Sequence, residues 1–141
     1  MTNSPMPPAE SGALMQRTYG EALALTQEVR DYIAGPAAAD KGLLDADAKL
    51  VASCEEMRVT ARVTEVMAWL MVQRAVHAGE ISRAEAARPD RRLGGAETCQ
   101  AEPMLSLDEL PPRLADLMVR SRALYDRIAR LDAMLDGSGA Q

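Results

Sequence analysis

One histidine, two cysteines and two pairs of neighbouring carboxylates are the residues of this chain from which chemistry could be built. A protein zinc site needs three or four His, Cys or carboxylate ligands on one point. His77 stands alone and Cys54 and Cys99 lie far apart, which excludes a His/Cys zinc centre and suits structural thiols better than a disulfide framework. Glu55 and Glu56 are adjacent, so on a helix they diverge by about 100° and do not share a site. Asp45 and Asp47 fall where a helix would begin, and there a carboxylate serves as a cap. His77 belongs to the last turn of that same helix, where an imidazole interacts favourably with the dipole. Gly94-Gly95 has neither the following Lys-Ser/Thr nor the preceding strand of a phosphate-cradling loop. No Ser or Cys joins His77 in a nucleophile motif. The sequence therefore predicts a protein that is not an enzyme and uses no metal or cofactor.

The elements that would position these residues follow from composition. The chain has 141 residues, 48% hydrophobic but only 3% aromatic, with one Trp, three Tyr and no Phe. Ala, Leu and Met supply the apolar content, and they favour helices over strands. One all-α domain is the expectation. The net charge of −5 gives no bulk drive toward nucleic acid. Lys41 and Lys49 are the only lysines, so nearly all the basic residues carry the forked guanidinium suited to directional ion pairs. The longest apolar run, Val66 to Val72, falls far short of the roughly 20 residues of a membrane span. Without a secretory signal pattern, the cytoplasm is the expected compartment.

Residues 1–12 lack an apolar period and read as a disordered arm. The first long helix, 13–34, has the seam Met15, Tyr19, Ala22, Thr26, Val29, Ile33, and Gly35-Pro36 stops it. The second, 46–78, has the seam Leu50, Cys54, Met57, Ala61, Thr64, Ala68, Met71, Ala75, with Val63, Val66, Leu70 and Val76 widening it. At 1.5 Å per residue it spans about 45 Å against about 33 Å for the first, so something must cover the excess. Ser82 with Glu85 marks a short capped turn, and 90–103, with Gly94 and Gly95, reads as a flexible loop. The third helix, 110–135, carries Leu110, Leu114, Leu117, Ser121, Leu124, Ile128, Leu131 and Leu135 before Gly137 closes it, leaving a short tail at 137–141. The expected fold is an antiparallel three-helix bundle over 13–136, with Met57, Trp69, Leu70, Leu124 and Ile128 in its core.

The second long helix reads either as a core helix with a solvated outer face or, as a helix too long and too apolar all round for a monomer of three helices, as one buried by a second subunit or partner. Glu55, Arg58, Arg62, Glu65, Gln73 and Arg74, with Arg120 and Tyr125 of the third helix, are the candidate partner or dimer surface. Two other readings stay open. Met57, Met67, Trp69 and Met71 could line the pocket of a ligand-sensing bundle. Arg113, Arg120, Arg122, Arg127 and Arg130 could meet DNA, although Asp116, Asp126 and Asp132 make that face mixed in sign. The basic cluster Arg88-Pro89-Asp90-Arg91-Arg92 is interrupted by an acid and has no stacking partners, so it reads as a solvated or partner-facing loop.

From Glu55 to Val76 the sequence EEMRVTARVTEVMAWLMVQRAV resembles one known family. It is similar to the Glu-Ser-Met-Arg-Leu-Thr-Thr-Arg core and the Trp-Leu and Gln-Arg-Ala-Val signatures of the alphaproteobacterial regulator of CtrA degradation (RcdA) family. Gly79-Glu80-Ile81-Ser82, Arg120-Ser121, Leu124-Tyr125 and Arg130-Leu131-Asp132 extend the resemblance over roughly 13–135. The resemblance implies a non-enzymatic, homodimeric three-helix bundle acting as an adaptor for the ClpXP protease. It also implies recruitment through a CpdR-like protein, delivery of CtrA with a PopA-like protein, and a place at a cell pole. Tethering a substrate beside the unfoldase raises its effective concentration without new chemistry. Some members carry a long C-terminal tail for substrates, whereas this chain stops six residues after Leu135. That leaves cargo to the arm at 1–12, to the loop at 90–109, or to different substrates.

Overall fold

The computed structural model describes residues 8–139, with side-chain surroundings for 12–135. The three stretches of three-and-four spacing form long helices: α1 (Pro8–Ala34), α3 (Ala46–His77) and α6 (Pro112–Gly139). Three short helices occupy the connections, namely α2 (Pro36–Gly42), α4 (Arg83–Ala86) and α5 (Ala96–Cys99), with 3-10 turns at Pro89–Arg91 and Leu107–Glu109. The described residues are thus all-helical, with six α-helices where three were expected.

Several ends differ from the sequence reading for local reasons. Helix α1 begins at Pro8, inside the segment read as an arm, because proline at a first helical position lacks only an N–H that has no helical partner there. Residues 1–7 lie outside the described residues. Pro36 does the same for α2, so the Gly35-Pro36 pair ends one helix and opens another. Asp45 caps α3 as expected, its Oδ1 accepting from the Ala48 N–H at 2.8 Å. Gly79, at φ +76, lets the chain turn off the far end, and the Glu80 N–H returns to the Ala75 carbonyl at 2.9 Å. Ser82 caps α4. Gly137 does not close α6, which runs on to Gly139.

Contacts between the long helices fix their directions. Arg127 and Arg120 of α6 pair with Glu21 and Glu28 of α1, ascending against descending numbers, so these two are antiparallel. Arg74 lies over the Tyr19 ring at one end of the α1/α3 pair, while Lys41, just beyond α1, reaches Ser53 and Glu56 at the other, so α1 and α3 are also antiparallel. Arg62 bonds Ser121 and Trp69 bonds Asp132, which makes α3 and α6 parallel. In the antiparallel bundle that the sequence predicted, consecutive long helices alternate in direction, whereas here the second and third run the same way. The cause is the connection over 78–111, long enough to run back along both helices before α6 starts.

That connection is not the flexible loop its glycines suggested. Cys99 is fully buried, and Leu93, Leu105 and Leu107 pack against the core. The core itself joins Ala22, Leu25, Val29 and Tyr32 of α1, Val59, Val63, Val66, Trp69 and Leu70 of α3, and Leu114, Leu117, Leu124, Tyr125 and Ile128 of α6. Each large side chain buried this way contributes about 1.5–3 kcal/mol. Trp69, Leu70, Leu124 and Ile128 are core as expected. Met57 is not: it is 73% exposed. The expected seam on α3 is out of phase, with Leu50 67% and Met71 59% exposed and Thr64 and Ala68 also outside. The Ile33 end of the α1 seam faces outward too.

Candidate functional site

Two regions of α3 stand out: a polar seam toward α6 and an apolar stripe on the opposite face. Along the seam the returning connection is held mostly by hydrogen bonds from side chains of α3 and α6. Arg62 Nε donates to the Cys99 carbonyl at 2.8 Å and its Nη1 to the Met118 carbonyl at 3.1 Å and Ser121 Oγ at 3.3 Å. Arg58 reaches the Glu102 carbonyl, and Arg122 the Ala101 carbonyl. Glu65 Oε2 accepts from the Gly94 N–H at 3.2 Å, while the Tyr125 hydroxyl donates to the Gly94 carbonyl at 2.6 Å. At the far end Arg92 donates to both the carboxylate and the carbonyl of Asp132, whose Oδ1 also accepts from Trp69 Nε1 at 2.8 Å. These charge-assisted bonds account for the order of a glycine-bearing segment.

The electrostatics follow from burial. Desolvation, with Arg122 and Arg58 nearby, pulls the Arg62 pKa down. Burial, with Cys99 and Glu65 close, pushes the Tyr125 phenol up to about 12. Burial likewise raises the Cys99 thiol, so this cysteine is a packing group rather than a ready nucleophile. Glu55 is buried against Arg58, and its Oε2, like Arg58 Nε and Gln73 Nε2, makes no hydrogen bond among the described residues. Glu56 lies 2.9 Å from Lys41 Nζ, an ion pair by distance without the angles of a hydrogen bond.

These placements divide the candidate surface. Glu55, Arg62, Gln73 and Tyr125 are interior rather than on the outer face, because the buried stripe of α3 is rotated from the expected seam. Arg58 and Glu65 are partly covered and hold the connection. Arg74 is exposed over Tyr19, and Arg120 is exposed between Glu28 and Asp116. Met57 and Met71 point away from buried Trp69, so the methionine pocket of the sensor reading does not form. Arg120, Arg122 and Arg127 are each engaged with carboxylates of this chain. Arg92 of the basic cluster is bound to Asp132 rather than solvated. No group of three or more His, Cys, Asp or Glu able to hold a metal occurs among the described residues. The sequence reading missed the Arg92–Asp132–Trp69 node and the Cys99 anchor, because partners about 40 to 60 positions apart leave no periodic signal.

The apolar stripe takes Leu50, Met57, Ala68 and Met71 from the expected seam. Leu43, just before α3, and Leu50, Met57 and Met71 along it are exposed and spaced by multiples of seven, with Ala68 beside them. A seven-residue apolar period is the pattern by which one helix packs lengthwise on another. The period was real, and it marks the outside of the molecule.

A family model described as a protein of unknown function, DUF1465, matches residues 8–141. The crystal structure of RcdA from Caulobacter crescentus CB15 is similar at 33% identity, with a TM-score of 0.70, over 86% of this chain and 90% of that one. The chain belongs to the RcdA family. No curated relative matches it. The RcdA resemblance carried by Glu55 to Val76 thus spans residues of three kinds: the core of α3, the anchors of the connection, and the apolar outer stripe. No helix among the described residues is long and apolar enough to cross a membrane.

Proposed function

We propose that this chain is a non-enzymatic adaptor of regulated proteolysis, which tethers substrates such as CtrA to the ClpXP protease together with CpdR-like and PopA-like proteins. The observation that carries this reading is the 33% identity to RcdA over nearly the full length of both chains. The side chains that could have done chemistry support it. Cys99 and Tyr125 are buried in packing roles, Asp45 caps a helix, and the carboxylates of α3 hold basic residues in place. The cytoplasm, with a place at a cell pole, is the location this role requires.

The working form is a homodimer. The exposed stripe of Leu50, Met57 and Met71 supports a second copy of α3 as its cover, since the same seven-residue period on both copies is self-complementary about a two-fold axis. Arg74 and Arg120 lie outside that stripe, Arg74 over Tyr19 and Arg120 paired with Glu28 and Asp116. Immobilised chain incubated with purified ClpX and a CpdR-like protein tests the reading. Retention of ClpX that depends on the CpdR-like protein is the expected result, and no retention of either protein or of CtrA would overturn it.

A further inference from the structure

Between the returning connection and α6 lies a groove of about 360 Å³, walled by Pro103 and Leu107 on one side and Met118, Val119 and Ala123 on the other. Val119, on its lip, is 53% exposed. Arg62 lies at its inner end and is 3% exposed, bridging the two walls through the carbonyls of Cys99 and Met118. Every group Arg62 bonds is neutral. Its neighbours Arg58 and Arg122 each have a carboxylate, Glu55 and Asp126, but Arg62 forms no ion pair among the described residues. Its Nη2 makes no hydrogen bond there either. Buried cations are ordinarily paired with an anion; Glu55, the carboxylate that acts on Arg62, is in ion-pair contact with Arg58 instead, so Arg62 meets the groove with no carboxylate in direct contact.

We infer that this groove receives a short apolar segment of a partner protein, whose single Asp or Glu side chain reaches into the groove to Arg62. The shape favours a chain over a compact ligand. The groove is open toward solvent along Val119 and Glu102, and it adjoins a second depression of about 600 Å³ that shares Glu102, Pro103 and Leu107 with it. A segment can therefore lie along both without ending at either. One acid is admitted rather than several, because Arg122, the other cation lining the groove, is already paired with Asp126, and Glu102 repels further negative charge. Once seated, the apolar side chains of the segment cover the pair from water and so strengthen it. This inference rests on the adaptor reading, since it describes how such a chain would hold another protein.

The test uses a fluorescein-labelled, amidated peptide Ser-Leu-Val-Glu-Leu-Val-Ser and the same peptide with Gln for Glu, measured by anisotropy against the full chain. The Glu peptide is expected to bind about tenfold tighter or better, the size of one charge-assisted pair. Val119→Glu, on the exposed lip, should abolish that preference while helix content and Tm stay unchanged. Equal binding of the two peptides, or unaltered binding by Val119→Glu, would overturn the inference. So would a Gln peptide with a free C-terminal carboxylate binding as tightly as the Glu peptide, because the anion would then be a chain end. ClpX retention by the unmodified chain separates the two levels: retained ClpX with no peptide preference rejects the groove alone, whereas lost ClpX rejects the adaptor reading beneath it.

Discussion

Trp69 ties the core to the returning connection. Its ring is buried among the apolar residues of α3 and α6, and its Nε1 donates to the same Asp132 oxygen that accepts from Arg92. Trp69→Ala should cost about 3–5 kcal/mol in chemical denaturation, from a large cavity plus the lost bond. A loss well under 2 kcal/mol would contradict its place in the core. Tyr125 gives a second test. Its phenol keeps its proton up to about pH 12 in the folded chain, whereas the unfolded phenol releases it near 10. The folded state therefore binds more protons across that window, and stability falls as pH rises through it. Tyr32 shifts the same way, from burial and its bond to Asp40, and adds to the slope. Absorbance titration of tyrosinate should show the Tyr32 and Tyr125 phenols ionising above the ordinary range in the folded chain. At this scale the sequence was informative about Trp69, Leu70, Leu124 and Ile128, whose size leaves no alternative to burial. It misled at Arg62 and Tyr125, because a polar group is buried only when distant partners satisfy it, and those partners are invisible in a local pattern.

The long helices were legible from three-and-four spacing, and the cap at Asp45 from residue type. Their packing directions were not. Parallel α3 and α6 require the connection to return along the bundle, which it does through bonds to Gly94, Cys99, Ala101 and Glu102. None of those bonds uses the side chain of the residue it anchors, so composition reads the stretch as loose. Gly95 is the position where this stretch is most constrained. Its φ is +75, and an added Cβ would sit 3.3 Å from Cys99 Sγ. Gly95→Ala should destabilise by about 1–2 kcal/mol and speed amide exchange over 93–102, where an unconstrained loop would show neither. The phase of α3 is the clearest lesson at this scale. Two stripes run along one helix, and the one with the cleaner seven-residue period is outside, so periodicity alone found an exposed apolar stripe and assigned it to the core.

For the whole molecule, the outer stripe and the family support the proposed account: a small helical protein that holds other proteins, beginning with a second copy of itself. Sedimentation equilibrium at micromolar concentration should return twice the 15.2 kDa chain mass. Met57→Glu together with Leu50→Glu should return a monomer of unchanged helix content, since neither side chain supports the core. The proposed adaptor role was legible only through the resemblance from Glu55 to Val76, because tethering leaves no catalytic constellation to read. The most direct test of that role is the half-life of CtrA in a pulse–chase of cells lacking this chain. The account predicts that CtrA persists longer than in the parent strain and that restoring the chain restores its turnover; an unchanged half-life would contradict it.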